Sequence, residues 1–136
     1  MIAPATLEAI LADHARWLMG AADAKRAKLD HKQFGGADLS GCDLRNISLR
    51  EADLSGCNLA GANLAAANLS GANLRGVDFT GANLQEADLS NTDLRDAILT
   101  GANIDGADAW RCNVLGTVIS PGDLHRLMGC VMPKAR

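Results

Sequence analysis

Large apolar residues return at every fifth position over most of this chain. From Leu39 the frame gives Leu44, Leu49, Leu54, Leu59, Leu64, Leu69, Leu74, Phe79, Leu84, Leu89, Leu94, Leu99 and Ile104. Two positions before each sits a small residue, usually Ala, as in Ala52, Ala62, Ala67, Ala72, Ala82, Ala87, Ala97 and Ala102. Asp or Asn falls between the two, as in Asp53, Asn63, Asn73 and Asp88, and Gly often follows two positions after, as in Gly41, Gly56 and Gly71. A short fixed period marks a stacked, elongated architecture.

A period of five fits neither common element. On an α-helix of about 3.6 residues per turn it walks the leucines around the cylinder and leaves no apolar stripe. On a strand of period two it sends successive leucines to opposite faces. Both conflicts vanish if the chain turns a corner in every unit, with Leu and the small residue inward and Gly easing the corner. Stacked coils would then pair as in a parallel sheet, roughly 4.8 Å apart, around rows of Leu packed beside Ala. The frame runs backwards to Phe34 and Leu29 and forwards to Ala109, Val114 and Ile119. Lys32 departs from it, standing at an inward small-residue position. Degenerate units are expected at both ends, because terminal coils do not face another coil.

The units ADLSG (52–56), ANLSG (67–71), GANLQ (81–85) and ADLSN (87–91) resemble the A(D/N)LxX pattern of the pentapeptide-repeat family. The resemblance implies an all-β solenoid, a right-handed quadrilateral β-helix with four pentapeptides to a coil. Residues 27–121 would then make four to five coils. The repeat encodes mainly the scaffold, so function has to be argued from the surface.

The flanks break the frame. Leu7, Ile10, Leu11, His14, Trp17, Leu18 and Ala21 follow helical spacing, with Pro4 suited to a first turn and Gly20 to an end. Residues 1–26 are therefore expected to form a capping helix and loop over the open end of the first coil. Leu7, Ile10, Leu11, Trp17 and Leu18 supply its apolar face, and Trp17 is expected to plug over Phe34 and Leu29. At the other end Ser120-Pro121-Gly122-Asp123 reads as a helix start with Ser120 as N-cap. Leu124, Leu127, Met128 and Val131 form the stripe of a short helix within the tail 122–136. With four units to a coil, residues twenty apart stack. Ile98 then lies over Val118, both where Asp or Asn is usual, and Trp110 and Leu115 also point outward. These four are expected to make an apolar patch at the C-terminal end. Two covers are open for it: the chain's own helix through Leu124, Leu127 and Met128, or a second copy of the protein.

Composition adds limits. The chain has 136 residues and only 3% aromatics, too few for a thick globular core but enough for coils that bury leucines on one another. No apolar run approaches a membrane span, and MIAPATLEAI lacks a basic leader region; a cytoplasmic protein with no membrane partner is expected. Cys42, Cys57 and Cys112 take the inward small-residue position, and with Cys130 they make no CxxC or zinc spacing. His14, His31 and His125 lie in no catalytic or metal motif. The Gly residues form no phosphate loop, and the repeated carboxylates sit where Asp and Asn bond nearby backbone. No catalytic, cofactor or metal site is therefore expected, and the chain reads as no enzyme.

Function is then sought on the outer surface. Acids outnumber bases twelve to seven over residues 27–121, which argues against direct nucleic-acid binding. Arg75 and Arg95 stack on one side, so the charge is patchy. The leading reading is a non-enzymatic scaffold presenting a rigid protein-interaction surface, through Ile98, Trp110, Leu115, Val118, Arg75 and Arg95. The C-terminal end would serve for a homodimer, which gyrase-protecting members of the family form there. The alternative, also carried by the resemblance, is an acidic DNA mimic that binds a type II topoisomerase through Asp53, Asp88, Asp93, Asp96 and Asp108.

Overall fold

The repeating frame folds into coils that climb twenty residues at a time. The computed structural model describes residues 1–129. Parallel β-bridges join Lys28 to Ser48, Asp38 to Asn58, Asp53 to Asn73, Asp78 to Ile98 and finally Ile98 to Val118, each partner twenty residues on. Every bridge falls on the Asp/Asn position. The ladder is regular: Leu54 N–H donates to the Asn73 carbonyl at 2.9 Å and Asn73 N–H to the Ala52 carbonyl at 2.9 Å. Neighbouring coils thus satisfy each other's backbone, as a parallel sheet does.

Corners follow from local chemistry. In each unit the N–H of the next small residue donates back to the Leu carbonyl, as Ala72 N–H does to Leu69 at 3.0 Å. The third residue of that four-residue turn has positive φ, the geometry that favours Gly. Gly76 takes it at +68°, and Ala66 is held in the same region at +58°. The Asp/Asn side chain stiffens the approach to the corner. Asn58 Oδ1 accepts from Ala60 N–H at 3.0 Å, and Asp88 Oδ1 from Ser90 N–H at 2.9 Å. This local bonding accounts for the Asp/Asn preference.

Leu54, Leu74 and Leu94 are wholly buried, with Ala52, Ala72 and Ala97 beside them. Thr92 takes the small position with its hydroxyl donating to the Leu89 carbonyl at 2.7 Å. Lys32 does not enter the core. It lies on the first coil, which has no coil beneath it, and its side chain is exposed to water.

Two helices flank the coils. Helix α1 (Pro4–Leu18) starts on Pro4 and closes where Gly20, at φ +86°, returns its N–H to Trp17. Helix α2 (Pro121–Leu127) starts at Ser120, whose Oγ accepts from Asp123 N–H at 3.2 Å. Its Leu127 is buried against the core, whereas Leu124 is half-buried and Met128 exposed. Cys130 and Val131 lie outside the described residues. No helix among the described residues is long and apolar enough to cross a membrane.

Candidate interaction surfaces

The two ends of the stack are where coil chemistry is incomplete. At the N-terminal end α1 supplies part of the missing coil. Leu7 is buried, and Ile2, Ile10 and Leu11 pack partly against the core. Ile2 N–H donates to the Gln33 carbonyl at 2.8 Å, and Asp13 accepts from Lys25 N–H at 3.0 Å. The main polar contact is His14, fully buried. Its Nδ1 accepts from Ala27 N–H at 2.9 Å, so the ring proton sits on Nε2, which donates to the Arg45 carbonyl at 2.9 Å.

The plug expected from Trp17 is thereby displaced. Trp17 is half-buried and stacks on the His14 ring, centroids 5.5 Å apart, and Leu18 beside it is only half-buried. The imidazole occupies the deep position because it matches both a donor and an acceptor of the coil edge, which an indole cannot. Its place beside Leu7 and Leu11 on the helical stripe was the available signal.

Along the middle, arginines are tied down. Arg45 grips Asp43 through Nε and Nη2 at 2.8 and 2.7 Å, and Arg95 grips Asp93 at 2.9 and 2.6 Å. The bonded guanidinium holds each carboxyl below its ordinary value. Arg50 reaches Asp30 across one coil at 3.1 Å. Arg75 and Arg95 occupy stacked units, as expected, with Arg75 3.9 Å from Asp96. His31 is exposed at a corner, 3.5 Å from Glu51. Burial pushes the thiols of Cys42, Cys57 and Cys112 up, away from the reactive thiolate.

The last coil exposes large apolar groups. Trp110 is 64%, Leu115 74% and Val118 54% exposed, and Ile98 is half-buried beneath Val118. The register spreads them over three sides. Ile98 and Val118 share one stack, Leu115 follows the Asn113 stack, and Trp110 the Asp108 stack. Arg111 covers the indole of Trp110, its guanidinium carbon 4.6 Å from the ring centroid. Helix α2 is pinned over this end by Arg126, which bonds Asp105 and Asp123. Its buried Leu127 seals the core but leaves Leu115 and Val118 in water.

The family model for pentapeptide repeats matches eight copies, over residues 19–56, 57–96 and 78–114. The chain belongs to the pentapeptide-repeat family. Among solved structures, this pentapeptide-repeat protein is similar to one from the cyanobacterium Cyanothece 51142, at 38% identity and TM-score 0.71. The match covers 74% of this chain and 69% of that one. It is also similar to a pentapeptide repeat protein from the Arabidopsis thaliana thylakoid lumen, at 30% identity and TM-score 0.66, covering 74% and 72%. No curated protein matches the sequence. The similarity agrees with the twenty-residue register and assigns the coils to the right-handed quadrilateral β-helix of that family.

Proposed function

We propose that this pentapeptide-repeat protein is a non-enzymatic, cytoplasmic scaffold, a stiff rod that presents a protein-binding surface and pairs with a second copy through its C-terminal end. The carrying observation is the exposure of Leu115 and Val118 on a coil whose backbone is fixed by the ladder below. An apolar group held on rigid backbone loses little conformational freedom on binding. Exposed apolar residues grouped at one end of a polar rod fit an interface. Leu115 and Val118 flank one corner and form its centre, with Ile98 beneath; Trp110, under Arg111, lies at the previous corner and belongs to the rim.

Light scattering tests the pairing. Wild type should have twice the mass of the Leu115→Asp variant at equal concentration; equal masses would remove the C-terminal contact. Capture of partners from the source cell, with Trp110 and the Arg75/Arg95 pair substituted in parallel, tests the scaffold role. The topoisomerase reading draws on Asp53, Asp88, Asp93, Asp96 and Asp108, of which Asp93 is paired with Arg95 and Asp96 lies 3.9 Å from Arg75, so part of the charge it needs is already neutralised. A gyrase supercoiling assay at excess protein separates the readings, and inhibition there would favour the mimic.

A further inference from the structure

The underside of the first coil is capped unevenly. On two sides a downward-facing carbonyl is met by the N-terminal segment, that of Gln33 by Ile2 N–H and that of Arg45 by His14, whose other nitrogen accepts from Ala27 N–H where the coil begins. The side carrying Asp38 is not. One coil higher, Asn58 uses its N–H and carbonyl to pair with the coil beneath it, through Ala37 and Leu39, and the Ala60 carbonyl accepts from Gly41. The matching groups of the first coil are the N–H and carbonyl of Asp38 and the carbonyl of Ser40. Among the described residues these have no backbone partner.

Asp38 also borders a cleft of about 500 Å³ between this coil and α1. Leu7, Leu11, Phe34 and Leu39 line its floor and walls, and Glu8 and Asp38 are the charged groups on it. An open β-edge, an apolar slot and two carboxylates thus meet at one place. Edge pairing of this kind is how extended peptides add to a sheet, with backbone bonds giving affinity and alternate side chains giving specificity.

We infer that this cleft takes an extended basic peptide of another protein, which adds as a partial coil beneath Asp38 and inserts one large aliphatic side chain under Leu39. The ladder dictates the register. The peptide residue opposite Asp38 is preceded by a small residue, whose carbonyl accepts from Asp38 N–H. It is followed by the aliphatic residue, whose N–H donates to the Asp38 carbonyl. Two residues further on, another N–H donates to Ser40. Lys or Arg next to the aliphatic residue meets Glu8 and Asp38. This site is at the opposite end from the proposed self-contact and stands independently of it.

The test uses the full chain and a synthetic peptide, acetyl-Lys-Gly-Ala-Asn-Leu-Lys-Gly-Lys-amide, followed by amide chemical shifts and fluorescence polarisation. Saturable binding with shifts confined to residues 34–42 and α1 is expected. N-methylation of the peptide's Leu removes the donor to Asp38 and should weaken binding at least about tenfold. Replacing that Leu by Ser should weaken it similarly, and Glu8→Lys, on an exposed helix position, by about two- to fivefold. Thermal melts of Glu8→Lys confirm that the fold is kept. Absence of saturable shifts at about 1 mM peptide overturns the proposal. So does equal affinity of the N-methylated peptide, which would mark the cleft as a generic apolar slot, and so do shifts centred on Leu115, which would place the peptide on the other end.

Discussion

His14 Nε2 lies 2.9 Å from the carbonyl oxygen of Arg45, thirty-one residues further along, and that contact ties the capping helix to the far side of the first coil. The same ring accepts Ala27 N–H through Nδ1. One side chain therefore stands in for both a donor and an acceptor of a coil that is not there. His14→Ala leaves both groups without partners, and each such loss costs about 1–3 kcal/mol where water cannot replace the bond. The variant should show a lower urea midpoint and faster hydrogen exchange at the Ala27 amide. His14→Gln, which can offer one acceptor and one donor, should recover part of the loss. Unchanged exchange at Ala27 in His14→Ala would show that the bond is not structural.

Inward and outward positions should differ sharply in cost. Leu74 is wholly buried between coils, so Leu74→Ala removes packed methyls and leaves a cavity, worth about 2–5 kcal/mol. Ser70 sits at a half-buried outer position, and its N–H bond to Asn68 is made by backbone, which Ala keeps. Ser70→Ala should cost under about 0.5 kcal/mol. Chemical denaturation of both variants checks the difference, and equal losses would contradict the assignment of faces.

The corners make a further prediction, one that runs against the usual ranking of Ala over Gly. Ala66 is held at φ +58°, where its Cβ crowds the backbone. Ala66→Gly relieves that crowding and should raise stability by up to about 1 kcal/mol, net of the entropy Gly gains when unfolded. Conversely, a Cβ at Gly76 would meet nothing within 4 Å, yet the backbone there is at φ +68°. Gly76→Val should therefore lose at least about 1 kcal/mol through backbone strain alone. If Gly76→Val melts like wild type, the turn is not what holds the corner.

The coils were legible because their cause is local and repeated: a positive φ at each corner, and in most units a buried large apolar residue, a small residue and an Asx turn. The helix ends were legible for the same reason, from Pro4 and Gly20 at one end and Ser120 at the other. What was not legible depends on contacts between distant parts. The stripe through Leu7 and Leu11 turns His14 toward the coil, but nothing local says that it will meet Ala27 and Arg45, so the larger and more apolar Trp17 reads as the plug. Lys32 read as an inward residue because the frame is blind to whether a coil lies beneath. The outward direction of Trp110, Leu115 and Val118 followed from the frame. Their spread over three sides required counting units around the coil, and the cleft beside Asp38 required knowing where α1 leaves a gap.

Acid should loosen the rod in a definite window. Asp43 and Asp93 accept paired bonds from Arg45 and Arg95, which hold both carboxyls below the ordinary value of 3.8. In the folded state they therefore bind fewer protons than in the unfolded chain at the same pH, so stability rises with pH across that interval. The contribution is fully present above 3.8 and is lost as pH falls through the lowered folded-state values. Both pairs are partly exposed, so each contributes little and salt should reduce it. The part of the urea midpoint that these two pairs supply is expected to stay level from about pH 7 to about pH 5 and to fall below about pH 4. Asn fills the equivalent turn position in other units, where Asn73 Oδ1 accepts from Arg75 N–H at 3.2 Å. Asp43→Asn with Asp93→Asn therefore keeps the corners while removing the two titrating groups. The double variant should start less stable at neutral pH and lose less on acidification, and an acid loss as steep as that of wild type would place the sensitivity elsewhere in the rod.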